Sequence, residues 1–179
     1  MQALKALSRV LNLANPAISD LTSDERFAFI TLGGSTLKHW VTENYLKNLH
    51  LPEFHIYDSD VAKYQESVDE VNLRTNGSWA VRTAKHEIES YLHADAIKAA
   101  YNVDVEVADV HNSQGHAVPK AFGIAYSAKM QFDGTMGDNK SKSYLTKAFL
   151  NMTAEQIVAR DPDGEIVGWF TRMGQALQA

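Results

Sequence analysis

The sequence predicts an α/β fold, with a mainly parallel sheet flanked by helices and a helical C-terminal part. Three observations predict it. Two short apolar runs, 27–32 and 54–57, are each followed by a polar turn and an amphipathic stretch of helical length. A third run, 79–82, follows the turn signal Asn76-Gly77. Strands that alternate with helices in this way join a parallel sheet through crossover connections. Beyond residue 101 the pattern is mostly helical.

Taken in order, residues 2–13 carry Leu4, Leu7, Val10 and Leu11 at helical spacing, and Asn15-Pro16 stops the helix. The run 27–32 reads as a buried strand entering the Gly33-Gly34 turn. Ser35 or Thr36 caps a helix reaching about Asn48. Pro52 precedes a strand over 54–57 that ends at Asp58. A helix with an acidic face then spans 61–73, and 79–82 is the third strand. Residues 87–101 read as one helical stretch, with a break near His93, and Val103 to Val110 alternates as a strand would. Helices are predicted over 119–130 and 141–152, with a loop over 132–139 between them. Thr153 caps a further short helix, with Gln156 in the capping-box position. After the turn at Asp161-Pro162-Asp163-Gly164 comes a last amphipathic helix holding Ile166, Trp169, Phe170 and Met173. The expected division is an α/β core over 1–101 and a mainly helical extension over 102–179, packed on the same domain.

Composition narrows the function. A chain of 179 residues can bury a sizeable core. No apolar run approaches the roughly 20 residues a bilayer span requires, and no signal-peptide pattern opens the chain, so a cytoplasmic setting without membrane partners is expected. The absence of cysteine excludes disulfides, thiolate metal sites and a cysteine nucleophile. A net charge of -5 argues against a surface that coats nucleic acid all over. It is compatible with a local site where carboxylates hold a cation that meets the phosphate.

Asp58 and Asp60 come first among the residues able to carry chemistry, because Asp-X-Asp at the end of a strand puts two carboxylates where ligands of parallel sheets bind. Hard cations such as Mg²⁺ favour such oxygens. The plainer alternative is that Asp58 ends the strand and Asp60 caps the next helix. Glu87, in Lys85-His86-Glu87-Ile88-Glu89, follows the third strand and brings a third carboxylate to the same edge; the alternative is an acidic first turn favouring the helix dipole. Gly33-Gly34-Ser35 offers backbone N–H groups to a phosphate but is not a P-loop. No His-Glu-X-X-His motif occurs, and His111 and His116 read as solvated loop residues. Lys140, Lys142 and Lys147 form a small basic group, suited either to a phosphate or simply to water.

The ordered set Phe29-Ile30-Thr31-Leu32-Gly33-Gly34-Ser35, Ile56-Tyr57-Asp58-Ser59-Asp60 and Lys85-His86-Glu87-Ile88-Glu89-Ser90-Tyr91-Leu92 resembles the Toprim domain of OLD-family (overcoming lysogenization defect) ATP-dependent endonucleases. The ending, from Met152-Thr153 to Gly168-Trp169-Phe170, resembles the helical tail of that region, so the likeness covers nearly the whole chain. The resemblance implies a Toprim-like (Rossmann-like) fold and an Mg²⁺- or Mn²⁺-dependent nuclease that cuts DNA by a two-metal mechanism. It implies that Asp58, Asp60 and Glu87, with Glu89 as the alternative to Glu87, are metal ligands. Lys142, ahead of Tyr144-Leu145, matches a late active-site lysine.

The chain departs from that pattern at its start. The family's first strand, with its glutamate and the aspartate that often follows, is missing, as is the ATPase domain; Glu25 does not stand in for that glutamate. Two-metal hydrolysis needs one ion for the nucleophile and one for the leaving oxygen, so a lost ligand weakens at least one ion site. A lost strand also exposes a sheet edge that invites another chain. Two readings therefore stand: an active Toprim-type DNA endonuclease, or a catalytically impaired Toprim-derived module that dimerises or modulates a full-length nuclease. A homo-oligomer, or an ATPase or nuclease partner chain supplying the missing strand, is the corresponding protein partner. A third alternative is a fragment of a longer gene product.

Overall fold

The computed structural model describes residues 1–30 and 35–177. Helix α1 (Gln2–Ala14) buries Ala3, Ala6, Leu7 and Leu11 on one face, as its periodicity predicts. Ser8 on the same face donates to Lys5 O and accepts from Leu21 N, which folds the chain after α1 back onto it.

The strand expected over 27–32 is absent from its described part, 27–30. Phe27 and Phe29 lean on the large core while Ala28 and Ile30 face outward, so the alternation is real. An extended alternating segment becomes a strand only when a neighbour completes its ladder, and no ladder is formed here. The Thr31-Leu32 end of that run and the Gly33-Gly34 turn lie outside the described residues.

Helix α2 (Ser35–Glu43) stops well before Asn48 because Asn44 takes a left-handed conformation, and a short 3₁₀ turn, Lys47–Leu49, follows. Strands β1 (Phe54–Tyr57) and β2 (Trp79–Arg82) fall where the sequence puts them and pair in parallel, with Phe54 opposite Trp79 and Tyr57 opposite Arg82. They are joined through α3 (Tyr64–Asn72), which completes a βαβ unit. Among the described residues these two strands are the whole sheet. The edge of β2 facing away from β1 is covered at Ala80, whose N–H and carbonyl are both paired with the side chain of Asn72.

The sheet separates two cores. Phe54, Ile56, Trp79 and Val81 pack against the larger one, while Tyr57 and Ala80 point into a smaller one with Leu37, Val41, Val68 and Val71 from α2 and α3. The period of two along each strand thus places helices on both faces. The larger core joins α1 and α4 (Ala94–Tyr101) to α5 (Val118–Met130), α6 (Asp138–Phe149), α7 (Ala154–Arg160) and α8 (Glu165–Ala176), so helices on either side of residue 101 share it.

The stretch 87–101 does break near His93. A 3₁₀ turn, Ile88–Tyr91, precedes extended Leu92 and His93, and His93 Nδ1 then accepts from Asp95 N to cap α4. Val103 to Val110 is not a strand. Val103 and Val105 are buried in alternation, but the segment has no ladder partner. Thr153 and Gln156 form the expected capping box of α7. Ile166, Trp169, Phe170 and Met173 line the buried face of α8.

Candidate functional site

The loops that leave β1 and β2 are tied together at the carboxyl ends of the strands. Thr83 N donates to Tyr57 O, Ser59 N to Thr83 Oγ1, and Asp60 N to His86 O. Ser59 Oγ donates to Lys85 O at 2.6 Å, and Arg82 donates to Ser59 O. Ile88 N donates to Asp58 Oδ1 at 2.9 Å, which fixes the carboxylate against the turn that bears Glu87 and Glu89 and leaves Oδ2 on the side of Lys142. That turn is held from behind by Arg160 on α7, which donates to both Ser90 O and Asp109. Lys85 also pairs with Asp109.

Helix α6 completes the arrangement. Gly123 on α5 lets it approach closely: a Cβ there would stand 2.7 Å from both Met136 O and Ser141 Oγ. Lys142, one turn into α6, then reaches the carboxylates. Its Nζ lies 2.8 Å from Glu87 Oε2, 3.8 Å from Glu89 Oε2 and 3.9 Å from Asp58 Oδ2. Three acids separated from Lys142 by more than 50 residues of chain, roughly, are thus gathered around one ammonium.

The electrostatics are those of an undercompensated cluster. Glu87 and Glu89 are buried, at 3% and 6% exposure. Glu87 Oε1 and Glu89 Oε2 make no hydrogen bond. Burial pushes the Glu89 carboxyl up to about 7, against the pull of Lys142 and with the help of Glu87 and Asp58. Burial likewise raises Asp58 and Glu87, again opposed by Lys142. The acids in turn raise Lys142 above the ordinary lysine value despite its own burial. The amino group of Met1, lowered by burial, lies close enough for Glu89 and Asp58 to act on it.

Of the residues singled out from sequence, Asp58, Glu87, Glu89 and Lys142 come together, with Glu87 and Glu89 both present rather than as alternatives. Asp60 does not join them. It is exposed, and no ion pair among the described residues includes it. Nor does it cap α3, whose first turn is preceded by Lys63. Lys140 is exposed, and Lys147 lies over the Tyr101 ring instead of at the acids. His111 is exposed in its loop, and its ring lies tilted against that of His86, with centroids 4.9 Å apart. Sequence reasoning did not single out Arg160 or Asp109, which brace the turn from a distance without any local motif.

The donor set fits a hard divalent cation in kind: carboxylate oxygens only, two of them buried without a hydrogen bond. As arranged, the acids surround an ammonium and do not close to metal–oxygen contacts of about 2.0–2.6 Å. Accordingly, no ready-made metal-holding group of three or more His, Asp or Glu occurs among the described residues. No helix of the described residues is long and apolar enough to cross a membrane. No protein-family model matches the chain, and no curated protein or solved structure matches it.

Proposed function

We propose that the chain is a Toprim-type phosphodiesterase that cuts DNA with the help of Mg²⁺ or Mn²⁺. The observation that carries the reading is the convergence of Asp58, Glu87 and Glu89 on Lys142 beyond the carboxyl ends of a parallel β pair, the usual position for ligands on such sheets. Two buried carboxylate oxygens without a hydrogen bond are costly unless something compensates them. A divalent cation held by these acids would neutralise them and polarise a phosphate oxygen or a water.

In this reading Asp58, Glu87 and Glu89 hold the cation. Asp60, exposed in the turn after β1, stands apart from these three. Lys142 contributes a positive charge where negative charge builds up on the phosphate. Ile88 N keeps Asp58 oriented, as a fixed donor should for a ligand carboxylate.

The experiment is cleavage of supercoiled plasmid with Mg²⁺, Mn²⁺ or EDTA, run beside Asp58→Asn. Cutting that needs metal and is lost in the variant is expected. No cutting with either metal would favour a catalytically impaired interaction module instead. The observation on that side is that Asp60 stands apart from the cluster. Light scattering would then look for a homo-oligomer, and a pull-down for an ATPase or nuclease partner.

A further inference from the structure

We propose that Lys142 is an exchangeable counter-ion: its ammonium and the divalent cation compete for Asp58, Glu87 and Glu89, and binding of the cation releases Lys142 toward the substrate phosphate. The inference rests on the functional reading above and adds a regulation of the same site.

The geometry supports displacement over a permanent ion pair. Only one of the three acids is within hydrogen-bond distance of Nζ, Glu87 at 2.8 Å; Glu89 and Asp58 stand at 3.8 and 3.9 Å. A lysine ammonium has three donors on a flexible four-carbon stem, so it is a mobile point charge, unlike the planar fork of arginine. Here one donor is used on the cluster, and Glu87 Oε1 and Glu89 Oε2 are left without a hydrogen bond.

Charge and access point the same way. The Lys142 ammonium faces three carboxylates, and even with the Met1 amino group, which also acts on Glu89 and Asp58, negative charge is in excess and a doubly charged ion neutralises it better. Glu87 and Glu89 are shut away, with side chains 4% and 8% exposed, whereas the side chains of Lys142 and Asp58 are 34% and 31% exposed. Lys142 therefore has a route to solvent that Glu87 and Glu89 lack, and Asp58 gives an arriving cation an accessible first oxygen. Its backbone need not move, since Gly123 and the Tyr101 hydroxyl, which donates to Tyr144 O, hold α6 in place.

Two measurements test this. Lysines of the intact chain are reductively methylated with and without Mn²⁺ and read by mass spectrometry. The labelling rate of Lys142 should rise severalfold with Mn²⁺ while exposed Lys140 stays constant; an unchanged Lys142 rate with Mn²⁺ bound overturns the inference. Calorimetry then compares Mn²⁺ affinity in the wild type and Lys142→Met. The variant should bind about tenfold more tightly, yet cleave plasmid more slowly, because competition is lost together with the phosphate contact. Equal or weaker binding overturns it. Should Lys142→Met fold poorly, Lys142→Met/Glu87→Gln is compared with Glu87→Gln, and the same gain is expected. Mn²⁺ binding to the wild type without a gain in the variants defeats this inference alone, whereas no Mn²⁺ binding to any of these chains defeats the functional reading as well.

Discussion

Two charged clusters sit at opposite ends of β1 and are built in opposite ways. At the start of the strand, Glu53 receives Arg74 at 2.6 Å and the Trp40 indole at 3.2 Å, and His55 lies 3.2 Å from it. Burial works against its charge, but the hydrogen bonds from His55 and Trp40 and the charge of Arg74 outweigh it and hold Glu53 below the usual carboxylate range. Tyr57 closes the chain of contacts through His55 Nδ1, and Arg74 also donates to Val41 O, which ties the sheet to α2. At the end of the same strand, Asp58, Glu87 and Glu89 surround the Lys142 ammonium, with the Met1 amino group acting on two of them, keep two oxygens without a hydrogen bond and are raised by burial. The first cluster is complete and serves the fold. The second is incomplete in positive charge, which is the condition for holding a cation that the polypeptide itself does not supply.

The contrast can be broken at either end, and the largest effect is expected at the complete one. Arg74→Met leaves Glu53 buried without its main cation and should cost about 3 kcal/mol in urea denaturation, with Mn²⁺ binding retained. At the incomplete cluster, Mn²⁺ at about one hundred times its dissociation constant should stabilise the wild type by about 2.7 kcal/mol. For a chain of this size that is a melting-point rise of roughly 5–10 °C, reversed by EDTA.

Glu89 gives a smaller effect with a definite sign. With its folded pKa raised to about 7, the native chain binds a proton that the unfolded chain has already released above the ordinary carboxylate value. Stability in the absence of metal therefore falls as pH rises from about 4.5 to 7. Glu89→Gln removes that loss. It should match the wild type near pH 5 and exceed it by on the order of 1 kcal/mol at pH 8, measured by denaturant unfolding. The smallest effect sharpens the comparison from outside both clusters. Thr153→Ala breaks the capping box of α7 and should cost no more than about 1 kcal/mol, with no change in Mn²⁺ affinity.

What was legible in the sequence was local. β1 and β2 were readable because β-rich runs are bounded by Pro52, Asp58 and Asn76-Gly77, and the capping box of α7 because Thr153 and Gln156 stand three apart. The end of α2 was not readable, since nothing in its neighbours announces that Asn44 adopts a positive φ. Residues 27–30 and 103–110 show strand alternation, but strand formation depends on a neighbour, which alternation does not specify. At the site, Asp58 and Glu87 were visible as strand-end carboxylates. The failure of Asp60 to join them follows from its place in the turn between β1 and α3, where its N–H is taken by His86 O. The residues themselves mark Lys142 only as one of three neighbouring lysines, and the family likeness alone distinguishes it from Lys140 and Lys147; its position depends on how α5 meets α6 at Gly123, a tertiary contact without a local signature.

The most direct test of the central claim, that Asp58, Glu87 and Glu89 form a cation site, is calorimetric titration of Mn²⁺ into the wild type and into Asp58→Asn/Glu87→Gln. Saturable binding to the wild type that is lost in the double variant is the predicted result. Equal binding by both chains, or none by the wild type, would contradict the account.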